Sequence, residues 1–369
     1  SSCLGICYWP APAGHVHRGL RGRDWVAEVL AECKKREIRP VLYLNFWSKW
    51  AYEHHPDWRT INIDGLGTLD YLWHPGRYGV CCLNSPYREF FLALVRDLCS
   101  RYEAEGLWVD MIGWLSGVCY CGHCRRRYFE ETGRQIPTQV DWASADWVRF
   151  QRKREEWAAE LVETVTKLVK SLRPGMSVAY QSAGWTQGWY AAFSQVFLSQ
   201  SDYLAGDFYG KALNQSVICK ALNNLSKNRP IEFMVSRAPD LSHHTTRKTP
   251  EQLSSQAYSA LAHQASFVFI DAIDPLGTLD AGVYEEMGRI YQEIERYERH
   301  LDPDATMLAD VAIYFNLESM ISLKENKRRV PADLQIPPLY NRLHSIARAL
   351  IHGNILYDVV TDRNLDALD

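Results

Sequence analysis

From residue 4 to about residue 300 the chain alternates short apolar runs of strand length with longer stretches of helical periodicity. That alternation leaves few folds open, because a strand followed by a crossover helix returns parallel to its predecessor and gives a helix-covered parallel sheet. The apolar runs are 4–9, 39–46, 106–110, 177–181, 203–207, 231–236 and 266–271. Helical stretches fall over 24–36, from Ser85-Pro86 onward, over 146–172, between the 203–207 and 231–236 runs, from Pro250 and over 281–300, and Pro174-Gly175 ends the longest. These are seven strand–helix units, one short of the eight that close a TIM-type barrel. The expected fold is α/β, a (β/α)8 barrel whose first unit lies upstream of a sequence that begins without methionine. A seven-unit open sheet is the alternative.

After Leu301-Asp-Pro-Asp304 the pattern restarts. A buried strand is expected over 309–315, a helix over 338–353 and a strand over 355–360. The expected division is therefore a barrel over 1–302 and the start of a second α/β domain over 303–369. What is present of that domain is too small to bury much surface alone.

Composition narrows the function. The 369 residues carry a net charge of -3, are 47% hydrophobic and scatter their Lys and Arg, so neither nucleic acid nor a membrane is an expected partner. The expected location is cytoplasmic, with no signal peptide visible. The 13 Trp and 20 Tyr suit a core, and near strand ends they also suit stacking on the apolar faces of sugars.

In a parallel barrel the C-terminal strand ends face one pocket. The polar residues there are Asn45 and Trp47, Asp110, Tyr180 and Gln181, Asp207 and Tyr209, Ser236 and Arg237, then Asp271. Carboxylates at apolar strand ends are costly unless they bind or catalyse. Two of them across an aromatic pocket are what glycoside hydrolysis needs. Asp110 is the first candidate, with a helix cap or an ion pair as its ordinary alternatives. Asp207 serves equally as a catalytic group or a ligand to hydroxyls. Glu232 lies near the start of its strand, yet burial would raise its pKa toward that of a general acid. Asp271 and Asp274 also read as turn formers, and His243 and His244 sit on a loop after the 231–236 strand.

Ten cysteines in a chain this long do not read as a disulfide framework. Cys33, Cys99 and Cys219 sit in helical patterns as buried thiols. Cys119, Cys121 and Cys124 form Cys-x-Cys-x-x-Cys, too close for an easy disulfide and well spaced for metal. Cys82 completes a closed set of four thiolates, which marks a structural zinc ion. Cys81 and His123 are the competing ligands.

The segments Cys82-Leu-Asn-Ser-Pro-Tyr87 and Cys119-Tyr-Cys-Gly-His-Cys124 resemble the zinc-binding cysteines of glycoside hydrolase family 42 β-galactosidases. Residues from about Ala309 resemble the start of the β-galactosidase trimerisation domain, which implies a flavodoxin-like fold and a homotrimer. The catalytic pattern departs from that family, which places an Asn-Glu pair after the fourth strand and a Glu at the end of the seventh. Here those strands end in Val109-Asp110-Met111 and Ser236-Arg237.

The Leu107-Trp-Val-Asp110 strand is instead similar to the Trp-x-Asp strand of α-L-fucosidases. Over the whole chain the resemblance is to fucosidase-like hypothetical glycosyl hydrolases that couple such a barrel to a trimerisation domain. It implies a retaining exo-glycosidase acting on terminal α-L-fucose, with Asp110 as nucleophile and Glu232 or Asp207 as acid/base. Asn45, Trp47, Trp114, Gln181, Tyr209, Arg237, His243 and Asp271 would then bind substrate. A β-galactosidase with Asp110 as the acid, and a barrel that binds carbohydrate without catalysis, are the alternatives.

Overall fold

Two parallel sheets carry the alternating runs, as seen in a computed structural model that describes residues 1–207, 212–239, 246–271, 277–302, 304–331 and 338–365. They lie in two compact units, Ser1–Ser201 with Leu317–Pro338, and Asp202–Asn316 with Leu339–Asp369.

In the first unit β1 (Val41–Asn45), β2 (Gly106–Asp110) and β3 (Ser177–Tyr180) run parallel with β2 in the centre. β2 is buried along its whole length, as a parallel strand covered on both faces must be. Its register pairs Tyr43 with Trp108 and Asn45 with Asp110 on one side, and Trp108 with Ala179 on the other. Side chains alternate along a strand, so Tyr43, Asn45, Trp108, Asp110 and Ala179 share a face.

The longer helices of this unit, of eleven residues or more among the described residues, are α1 (Trp25–Lys35), α2 (Tyr87–Arg101), α3 (Gly122–Thr132) and α4 (Ala145–Leu172). Asp24 caps α1 by accepting from the Ala27 N–H at 3.0 Å, and Pro86 immediately precedes α2. α4 buries Trp147, Phe150, Arg154, Trp157, Leu161, Val165 and Val169 at helical spacing and packs against α2. Each such apolar side chain contributes about 2 kcal/mol on burial.

The strand expected over 4–9 does not form in one piece. Ser2–Cys3 pairs antiparallel with Ile6–Cys7, which pairs in parallel with His15–Val16. Leu4 and Gly5 turn the chain at positive φ (48° and 86°), and a Cβ on Gly5 would fall 2.0 Å from the Ser48 hydroxyl. Glycine is therefore required there by both dihedral and space.

The second unit repeats the design. β4 (Tyr203–Asp207), β5 (Asn228–Ser236) and β6 (Ser266–Ile270) are parallel with β5 central. The helices α5 (Ala212–Leu225), α6 (Pro250–Ala262) and α7 (Ala281–Glu298) pack in sequence, α5 on α6 and α6 on α7. Thr249 and Gln252 close a capping box at the start of α6.

The restarted pattern gives β7 (Val311–Tyr314) and β8 (Tyr357–Val360), paired in parallel, with α8 (Pro338–His352) between them in sequence. β8 does not stand alone. The Lys220 ammonium on α5 donates to the Tyr357 carbonyl at 2.7 Å, and Asn224 donates to the Asp358 carboxylate and the Val359 carbonyl.

Candidate active site and cysteine cluster

Asp110 ends β2 on the shared face and is only 9% exposed. Its Oδ1 accepts from the Met111 N–H at 2.8 Å. Its Oδ2 accepts from the Tyr43 hydroxyl and from Asn45 Nδ2 at 3.3 Å, and Asn45 Nδ2 also lies 3.2 Å from the Tyr43 oxygen. Burial, and next the Asp110 carboxylate, push the Tyr43 hydroxyl far above its ordinary pKa, so it stays protonated and donates. The same two causes, in the same order, push the Cys3 thiol up.

The donors to Asp110 fix the Asn45 amide orientation, because a carboxylate only accepts. Asn45 Oδ1 is then left buried without a partner among the described residues, as are Trp47 Nε1 and Trp108 Nε1. The orphan acceptor belongs to the side chain whose amide holds Asp110, and an unanswered acceptor there suits a ligand that carries hydroxyl groups.

The other expected site residues of this unit divide. Gln181 follows β3 on the Asp110 side, with its N–H on the Val109 carbonyl at 3.0 Å. Trp47 is wholly buried, with its ring behind Trp73 and Tyr78 at centroid distances of 5.8 and 5.3 Å. Trp73, 48% exposed, is the indole that meets solvent, and sequence reasoning passed over it as part of a long loop.

Trp114 is placed in the core rather than at a surface. Met111 and Gly113 take positive φ (52° and 98°) and turn the chain away from the strand direction, so Trp114 is buried at 2% exposure. Its Nε1 donates to the Arg154 carbonyl at 2.8 Å, and the Arg154 guanidinium lies over its ring. Tyr180 likewise points away from Asp110, its hydroxyl bonded to Val162 and Thr166 on α4. Tyr43 was missed altogether; its only trace in the sequence is a spacing of two residues from Asn45.

In the second unit Asp207 ends β4 and is in register with Met234, while Glu232 is in register with Ala205 and Ser266. Alternation puts Asp207 and Glu232 on one face of that sheet, with Asp207 nearer the C-terminal ends. Arg237 and Asp271 are brought together as an ion pair with side chains 12% and 7% exposed. Tyr209, His243 and Asp274 lie outside the described residues.

Cys82, Cys119, Cys121 and Cys124 converge, with their sulfurs within 4.8 Å of one another and all four buried. Such a group could hold a metal ion. Cys81, buried as well, is not part of it. His123 is not part of the group either. Cys121 immediately precedes α3 and Cys124 lies in its first turn, where the positive end of the helix favours thiolate. Burial pushes the Cys82 and Cys124 thiols up, whereas hydrogen bonds from Cys119, Cys124 and Cys82 hold Cys121 far below the usual range.

Further groups orient the cluster. Asn84 contacts Cys82 Sγ through its N–H and Cys124 Sγ through Nδ2, both at 3.4 Å, and Arg127 donates to Asn84 Oδ1 at 2.9 Å. Glu160 on α4 bridges Arg127 and Arg88. Arg154, fully buried on α4, donates to the carbonyls of Gly117, Trp189 and Tyr190 and so pins the segment between Asp110 and the cysteines. Four buried thiols at this separation fit a tetrahedral ion such as zinc and leave no ligand position for water.

Residues 2–111 match the family model described as hypothetical glycosyl hydrolase 6. No curated protein sequence matches the chain. Among solved structures, α-L-fucosidase isoenzyme 2 from Paenibacillus thiaminolyticus superposes with a TM-score of 0.73 at 19% identity, over 96% of this chain and 50% of that one. The β-galactosidase from Bacillus circulans sp. alkalophilus gives 0.71 at 16% identity, over 97% of this chain and 60% of that one. The polyextremophilic β-galactosidase from the haloarchaeon Halorubrum lacusprofundi gives 0.70 at 16% identity, over 98% and 67%. The chain thus has the mixed α/β fold of these glycosidases and spans about half to two thirds of their length. Among the described residues no helix is long and apolar enough to cross a membrane.

Proposed function

We propose that the chain is the catalytic core of a glycoside hydrolase, most specifically a retaining exo-α-L-fucosidase with Asp110 as nucleophile. The observation that carries this is the Asp110 carboxylate, held at a strand end by Tyr43, Asn45 and the Met111 N–H beside the orphan acceptor of Asn45. The match to a glycosyl hydrolase model up to residue 111 and the fold shared with an α-L-fucosidase support it.

In the proposed reaction an Asp110 oxygen forms a bond to the anomeric carbon. The bond to the leaving oxygen breaks, and that oxygen takes the electron pair and a proton from a carboxylic acid acting as acid/base. Water then attacks the same carbon, gives a proton to that acid/base and releases Asp110 as carboxylate. Asn45 and Gln181 bind hydroxyls in this reading, and Trp73, backed by Trp47, offers the apolar platform.

The buried four-cysteine group favours a second reading, a family 42-like β-galactosidase with Asp110 as the acid. In either reading the cysteines hold a structural zinc ion, and such a reduced cluster suits the cytoplasm. The proposed architecture is a (β/α)8-type barrel over 1–302 and a flavodoxin-like trimerisation-type α/β region over 303–369, in a homotrimer. Assaying the full-length protein and its Asp110→Asn variant on nitrophenyl α-L-fucoside, β-galactoside and other glycosides tests the proposal. Turnover of fucoside by the parent alone supports it. Turnover of galactoside supports the second reading, and no turnover of any glycoside favours a barrel that only binds carbohydrate.

A further inference from the structure

Tyr43 and Asp110 stand 67 residues apart in sequence, yet their side chains meet on one sheet face. Tyr43 is level with Trp108, two residues below Asp110. Two residues of strand rise are about 6.6 Å, which a tyrosine can span and a serine or threonine cannot. The ring is held for that reach by Trp108, which stacks on it at a centroid distance of 5.8 Å and an interplanar angle of 13°. Asn45, buried at 3% exposure, donates to both the Tyr43 oxygen and Asp110 Oδ2 and ties the three groups together.

We infer that Tyr43 is a positioning residue for Asp110: its hydroxyl, steered by Trp108 and Asn45, holds Oδ2 so that the carboxylate stays ionised with its plane fixed. This rests on the reading of Asp110 as the reacting carboxylate. It adds a residue that would never touch the sugar and would act only through Asp110. A hydrogen bond given to the ionised form stabilises that form, so loss of the Tyr43 hydroxyl must make Asp110 easier to protonate. Cys3 is a further titratable group that senses the charge of Asp110, and it stays unchanged in every variant.

The test does not depend on knowing the substrate. The Asp110 carboxylate band is isolated by infrared difference between the full-length protein and Asp110→Asn, then titrated in the parent and in Tyr43→Phe, which keeps the ring stack. The Asp110 midpoint is expected to rise by about one to two pH units in Tyr43→Phe, the scale of a charge-assisted hydrogen bond. An unchanged midpoint overturns the inference. On a turned-over glycoside, Tyr43→Phe should lower kcat about tenfold with little change in KM and move the acidic limb of the rate profile upward. Full activity in Tyr43→Phe with an inactive Asp110→Asn sinks the inference alone. Full activity in Asp110→Asn sinks the proposed function and the inference with it.

Discussion

Asn45 and Asp110 are register partners on adjacent parallel strands, and the Asn45 amide donates to Asp110 Oδ2 at 3.3 Å. The pairing converts a strand-end carboxylate into a held one. It also leaves the Asn45 carbonyl oxygen buried as an unanswered acceptor. Substitution of Asn45 by Asp would place a second carboxylate against the first. Asn45→Asp is expected to lower activity by about a hundredfold or more while Asn45→Ala loses less, since like charges at this distance oppose ionisation. Parallel kcat/KM measurements on the two variants check the order.

Trp73 and Trp114 should separate by phenotype. Trp73→Ala removes an exposed ring and should raise KM about tenfold or more with thermal stability unchanged. Trp114→Ala opens a cavity beside Arg154 and should cost about 3–5 kcal/mol of stability. Denaturant melts and Michaelis profiles of the two variants give the comparison.

Metal removal should act on stability before chemistry. Dialysis against a strong chelator is expected to lower the melting temperature by roughly 5 °C or more, with recovery on adding zinc. Cys82→Ser should lose bound metal as judged by elemental analysis, while Cys81→Ser retains it.

His263 predicts an acid-side weakness in the second unit. Its Nδ1 faces the Ser259 carbonyl at 2.7 Å and its Nε2 the Ser216 hydroxyl at 3.0 Å, with Lys220, Tyr357 and Asp358 nearby. Burial first, and then Lys220, hold its pKa below the ordinary value of 6.5. Between the folded and unfolded values the unfolded chain binds more protons, so stability is full above about pH 6.5 and falls as the pH drops through that window. Thermal melts at pH 5.5 and pH 8 should differ in the parent and differ less in His263→Gln.

The parts legible in the sequence were those set by local spacing. Cys119, Cys121 and Cys124 announce a shared ligand, and an apolar run ending in Asp110 announces a carboxylate at a strand tip. The Tyr43 contact was hidden because register between strands 60 or so residues apart is a property of the packed sheet. Trp114 misled for a local reason: the positive φ of Met111 and Gly113 cannot be read from hydrophobicity, and it sends the indole into the core. The run over 4–9 misled in the same way, since its apolar content concealed the turn at Gly5.

Cys82 and Cys124 lie 42 residues apart, and α2 and β2 lie between them. An ion held by both would tie off a loop of that length in the unfolded chain and remove about 4 kcal/mol of its conformational freedom by the chain-entropy model. The looped segment contains Asp110. An occupied cluster would therefore act on the wandering of the unfolded polypeptide, keeping the strand that bears the candidate nucleophile close to its final neighbours even when the rest of the unit has opened.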